Sequence, residues 1–86
     1  MNEKHIEDAA VAFGTKIRHL RSELNISQEE LGNRTNVSTN HIGYIERAER
    51  QPSLKLIIAI AFALPVHPAT LFDTIELPSD PEFYTE

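Results

Sequence analysis

Three serines, Ser27, Ser38 and Ser53, each stand immediately before a short segment whose apolar residues recur three and four positions apart. A serine at a helix start accepts one of the backbone N–H groups that the first turn leaves unbonded, so each marks a helix beginning. Ser27-Gln28-Glu29-Glu30 also has the form of a capping box, in which Glu30 is expected to reach back to the Ser27 N–H. Helix starts this close together leave room only for short helices joined by tight turns. No stretch alternates apolar with polar residues as a half-buried strand does, which leaves an all-α fold.

The remaining boundaries follow from the same local rules. The first helix takes Ile6, Ala10, Phe13, Ile17, Leu20 and Leu24 on one face. The second begins at Gln28 and is expected to run to about Arg34, because Thr35-Asn36 favours a turn and asparagine tolerates the left-handed backbone that ends a helix. In the third, after Ser38, Ile42 and Ile45 face inward, and Arg50-Gln51-Pro52 interrupts the pattern. The fourth starts after Ser53 and stops near Leu64, since Pro65 lacks a backbone donor and disfavours helical geometry in the residue before it. Pro68 suits the first turn of a short fifth helix through Phe72. The expected organisation is a compact five-helix domain over residues 1–75 and an acidic C-terminal tail over residues 76–86, with Pro78 and Pro81 among its acids. There is no internal repeat and no low-complexity segment.

Eighty-six residues, 41% of them apolar and 24% charged, have the size and balance of one soluble globular domain. Cysteine is absent, so disulfides, thiolate zinc sites and thiol nucleophiles are excluded. The N-terminal residues are polar rather than an apolar leader, and the longest apolar run, Leu56 to Val66, is short of the roughly 20 residues of a membrane span, so no membrane association and a cytoplasmic location are expected. The net charge of −5 is unevenly placed. From Gly14 to Lys55, seven basic residues outnumber five acidic ones and leave +2, whereas one basic and eight acidic residues put −7 in the flanks. The middle of the chain is therefore the part suited to an anionic partner.

Helices 2 and 3, short and separated by about three residues, have the layout of a helix-turn-helix. Where two helices cross steeply the first must present a small residue, and Gly32 lies one turn into helix 2; Asn36 supplies a residue at ease with positive φ in the turn. With these residues in place the chain resembles the lambda-repressor-like, or xenobiotic-response-element, family of bacterial and phage DNA-binding domains. The resemblance covers about residues 13–72. It is carried by Gly14-x-x-Ile17-Arg18-x-Leu20-Arg21, Ile26-Ser27-Gln28-Glu29-Glu30-Leu31, Val37-Ser38, Ile42-x-x-Ile45-Glu46-Arg47, Pro52-Ser53-Leu54, Ala61-x-x-Leu64-x-Val66 and Leu71-Phe72. The chain departs from the pattern in having Gly32 for the usual alanine, Asn36 for the usual glycine, and Ala48-Glu49 where a glycine generally follows Glu-Arg. Thr35 is also more polar than is usual there.

The resemblance implies double-stranded DNA as partner, with helix 3 in the major groove and its first residues at base edges. Thr39, Asn40, His41 and Tyr44 are the implied base-contacting residues; an asparagine pairs bidentately with adenine, and a threonine offers a hydroxyl or a methyl. Gln28, Ser38, Arg47, Arg50 and Lys55 are the implied phosphate contacts, the first two at helix starts where free N–H groups favour anions. Taken singly, each of these is as readily a solvated surface residue; their position in the motif is what selects them. By the same resemblance Arg21 and Glu46 form a partly buried ion pair joining helix 1 to helix 3, a scaffold role rather than a DNA contact.

Helix 4 departs from the amphipathic rule. Leu54, Ile57, Ile60, Ala61 and Leu64 suffice for an inward stripe, yet Leu56, Ala59, Phe62 and Ala63 are apolar as well. Five helices in so short a chain rarely bury one of them all round, so the second set is expected to form an interface, and a self-complementary patch makes a two-fold homodimer suited to a palindromic operator. The leading reading is thus a sequence-specific transcriptional regulator of the compact kind seen in phage repressors and restriction–modification controller proteins. The alternative is an antitoxin-like DNA-binding protein whose apolar helix 4 or acidic tail covers another protein. An enzyme is not expected. No nucleophile elbow or phosphate loop is present, and His5, His19, His41 and His67 lack metal-ligand spacing, so neither cofactor nor metal is called for.

Overall fold

A computed structural model describes residues 3–79. The helices are α1 (Glu3–Glu23), α2 (Gln28–Thr35), α3 (Thr39–Glu46) and α4 (Leu54–Ala63), followed by one 3-10 helix (Pro68–Phe72). The described residues are all-helical, but with four α-helices rather than five. The final segment starts at proline as expected, and its carbonyls bond three residues ahead, from Thr70 N–H to His67 and from Asp73 N–H to Thr70, which is the pattern of a short 3-10 piece. His67 caps it, Nδ1 accepting from the Ala69 N–H. Most of the acidic tail, residues 80–86, lies outside the described residues.

Each of the three serines caps its helix. Ser27, Ser38 and Ser53 have extended backbones, and their hydroxyls accept from the N–H groups of Glu30, His41 and Leu56 at 3.0–3.1 Å. The second half of the expected capping box is not what Glu30 does. Its carboxylate takes the Nε of Arg34 one turn on, at 3.1 Å, where an opposite charge is within reach. Helix α2 ends at Asn36 with φ 61°, the left-handed residue the turn requires.

Phe13, Ile17, Ile26, Leu31, Ile42, Ile45, Leu56, Ile60, Ala61, Leu64 and Leu71 form one buried cluster. Three features of this core correct the expectations. Leu24 falls beyond the end of α1, where Asn25 turns the chain at φ 56°, and is 46% exposed; Ile6, at the other end, is 39% exposed. Within α4 the inward stripe is Leu56, Ile60, Ala61 and Leu64, so Leu56 belongs to the core and not to an outward patch, while Leu54 is 72% exposed. When nearly every residue of a helix is apolar, periodicity gives the width of a buried stripe but not its phase. The outward ridge is Leu54, Ile58 and Phe62, one turn apart from each other.

Two glycines seat α3. A Cβ on Gly14 would lie 2.5 Å from the carbonyl oxygens of Ile45 and Glu46, and a Cβ on Gly32 would lie 2.6 Å from that of Val37. The C-terminal end of α3 therefore rests on α1, and the turn leading into its N-terminal end rests on α2, each by backbone contact with no side chain between.

Candidate nucleic-acid interface

Helix α3 divides sharply. Ile42 and Ile45 are buried at 1% and 2% exposure, whereas Thr39 and Asn40 are exposed. Helical spacing places Asn40, Tyr44 and Arg47 on the outward line, with Thr39, His41 and Gly43 beside it. His41 is half-buried and lines a cleft with Asn36, Val37, Ser53, Lys55 and Ala59, between the turn and the start of α4. Lys55 is thereby brought to the same cleft as His41, although the two are far apart in sequence.

Tyr44 is half-buried, and what covers it is cationic. The Arg47 guanidinium lies 5.5 Å and that of Arg50 5.1 Å from the ring centroid, both within cation–π range. The two arginines and the tyrosine form one cluster at the C-terminal end of α3. Arg47 is also engaged by Glu49, Nε to Oε2 at 2.7 Å, and this hydrogen bond pushes the pKa of the guanidinium up from its ordinary value. The sequence marks Glu49 only as part of the Ala48-Glu49 departure from the family pattern, without a role, and does not mark Gly43. The available signal for Gly43 was a glycine inside an eight-residue helix, which is about 1 kcal/mol less favourable than alanine and asks for a reason. Here its missing side chain leaves space that the Arg47 guanidinium occupies; a Cβ would sit 2.9 Å from Nη1.

At the start of α2, Gln28 is half-buried and its amide donates to Glu46 Oε1 at 3.0 Å. Its side chain is thus part of the scaffold network as well as close to the free N–H groups of the helix start. Ser38 is exposed, its hydroxyl taken up by the His41 N–H. Glu46 accepts three hydrogen bonds from two partners, one from Gln28 and two from Arg21. Arg21 donates from Nε to Oε2 at 2.8 Å and from Nη2 to Oε1 at 3.1 Å, and with Nη1 it reaches the carbonyl of Ile26 at 2.9 Å. The Glu46 side chain is 2% exposed and that of Arg21 14%, so a bidentate, largely desolvated pair ties α1, the loop before α2 and the end of α3 together. Arg34 makes a second tie, donating from Nη1 to the Ala63 carbonyl at the end of α4, 3.0 Å away.

The arrangement is that of a recognition-helix domain: a short helix, exposed and polar at its start and cationic at its end, mounted on a rigid all-helical scaffold. Residues 17–71 match the helix-turn-helix family, and the chain belongs to it. It is similar to the control protein C.BamHI of Bacillus amyloliquefaciens, 42% identical over 62 residues that span 71% of this chain and 76% of that one. Among solved structures it is similar to the restriction-modification controller protein C.AhdI of Aeromonas hydrophila, with a TM-score of 0.72 and 36% identity over 73% of this chain and 96% of that one. It is likewise similar to the P22 c2 repressor in complex with a synthetic operator, TM-score 0.66 and 35% identity, covering 70% and 91% of the two chains. Among the described residues no group of three or more His, Asp or Glu is placed to hold a metal ion, and no helix is long and apolar enough to cross a membrane.

Proposed function

We propose that the protein is a transcriptional regulator that binds a palindromic operator as a homodimer, reading each half-site with α3. The observation that carries the reading is the outward line of α3. Asn40 is exposed at the helix start, and Arg47 and Arg50 gather at its end, so base-edge donors and phosphate partners lie along one groove-sized element. Thr39 and His41 flank Asn40, Tyr44 continues its line, and Lys55 extends the charge across the cleft. Gln28 and Ser38 stand at two capped helix starts, where N–H groups suit phosphate.

Dimerisation rests on the exposed ridge of α4. Phe62 at 70% and Leu54 at 72% exposure, with Ile58 between them, make an apolar strip along the length of α4; Ala59 is half-buried on the cleft side and Ala63 packs against the core, so neither belongs to this strip. One copy reads a half-site too short to stand out against the excess of non-specific DNA, and a two-fold pair places two copies of α3 about 34 Å apart for half-sites about 10 base pairs centre to centre. The domain would then span residues 1–75, with α4 and the 3-10 segment near the axis. Footprinting on the DNA upstream of the protein's own gene tests the reading. Two protected segments one helical turn apart are expected; uniform protection with no preferred site would remove the sequence-specific part of it.

A further inference from the structure

Glu49 is an acid at the rim of the cationic cluster, and nothing about the scaffold requires it there. Its side chain is half exposed and bonds only to Arg47 Nε among the described residues. It is nevertheless placed firmly. Ala48 turns the chain at φ 59°, and the Glu49 N–H donates to the Tyr44 carbonyl at 2.8 Å, which fixes the Glu49 backbone over the end of α3. The Tyr44 ring beneath the Arg47 guanidinium limits where that side chain can go. Acid, arginine and ring are therefore a set assembled by the backbone rather than a chance meeting of two long side chains.

We infer that Glu49 is an internal counter-ion that limits sequence-independent attraction to DNA, occupying the Arg47 guanidinium until a closely approaching phosphate displaces it. The inference rests on the DNA-binding reading above and deepens it. A phosphate that approaches Arg47 either meets the carboxylate, which repels it, or must break a charge-assisted hydrogen bond first. In both cases Arg47 adds little to loose, long-range contact, while Arg50, whose described partner is the neutral Tyr44 ring, keeps its full attraction.

The test is a double-mutant cycle of Glu49→Gln and Arg47→Ala, read as binding to a mixed-sequence duplex of about two helical turns across a series of potassium chloride concentrations. Glu49→Gln should tighten binding roughly threefold to tenfold at low salt and steepen the logarithmic salt dependence by about 0.9, the value for one added phosphate contact. Both changes should vanish in the Arg47→Ala background. An equal gain in both backgrounds would reduce Glu49 to bulk charge and overturn the inference, as would no gain at all. If the unaltered protein fails to bind the duplex even at low salt, the DNA-binding reading itself falls, and the inference with it.

Discussion

At the residue scale, Ala48 shows a cost that the fold has accepted. A left-handed backbone brings the Cβ of an L-residue too close to the following carbonyl oxygen, yet Ala48 holds φ 59° to turn the chain after α3. Ala48→Gly should therefore stabilise the domain by about 1 kcal/mol, measured by urea unfolding with an unchanged m-value. A loss of stability would mean that the methyl packs usefully. Asn40 makes the complementary case, a residue to which the proposed reading gives a role outside the fold. It is exposed on α3, so Asn40→Ala should leave thermal stability alone while weakening binding to the protected operator by about 1–3 kcal/mol and binding to random duplex hardly at all. Equal weakening on both duplexes would remove Asn40 from the base-reading set. Of the residues singled out from the sequence, those whose role is local were the most legible: a serine needs only its own turn to become a cap. Gln28 was less so, because its amide meets Glu46, which is remote in the chain, and such a meeting has no local sign.

At the scale of elements, the seat of α3 is the decisive contact. The Arg21–Glu46 pair is desolvated, with Gln28 as a third member, and removing one partner leaves a buried charge unanswered. Arg21→Met should lower stability by about 3–5 kcal/mol and abolish DNA binding through loss of the folded state, without any loss of a phosphate contact. The check is to add a stabilising osmolyte: binding restored together with the helical signal identifies a scaffold residue, and a folded protein that still fails to bind identifies a DNA contact. The order and approximate ends of α1 to α4 were readable because capping residues, Asn36 and Pro65 act within a turn of themselves. The facing of α4 was not. Its residues are almost all apolar, so Leu54 and Leu56 are indistinguishable by type, and only the packing of the whole buried cluster decides that Leu56 is inside. The 3-10 form of the last segment was hidden for a related reason: a proline announces a helix start but not the hydrogen-bond step that follows it.

For the whole molecule, the ridge of Leu54, Ile58 and Phe62 is the feature that the single chain leaves without a use. If it is the two-fold contact, Phe62→Glu places two carboxylates at or near the axis, where burying them unpaired is costly. The variant should sediment as a folded monomer, keep its helical circular dichroism, and lose operator binding by far more than one phosphate contact supplies. A variant that stayed dimeric would move the interface to the segment from Phe72 to Leu77, where Phe72 is 41% and Leu77 86% exposed.

The two glycine contacts bear on mechanics as well as stability. Because the far end of α3 meets α1 at Gly14 and its entry turn meets α2 at Gly32, with no side chain between at either point, α3 has few ways to shift or tilt on its scaffold. In a complex, the partner that must bend to fit is then the duplex. Under the proposed dimeric reading its stiffness between the half-sites would enter the binding energy, and bases that the protein never touches would help to decide where it settles.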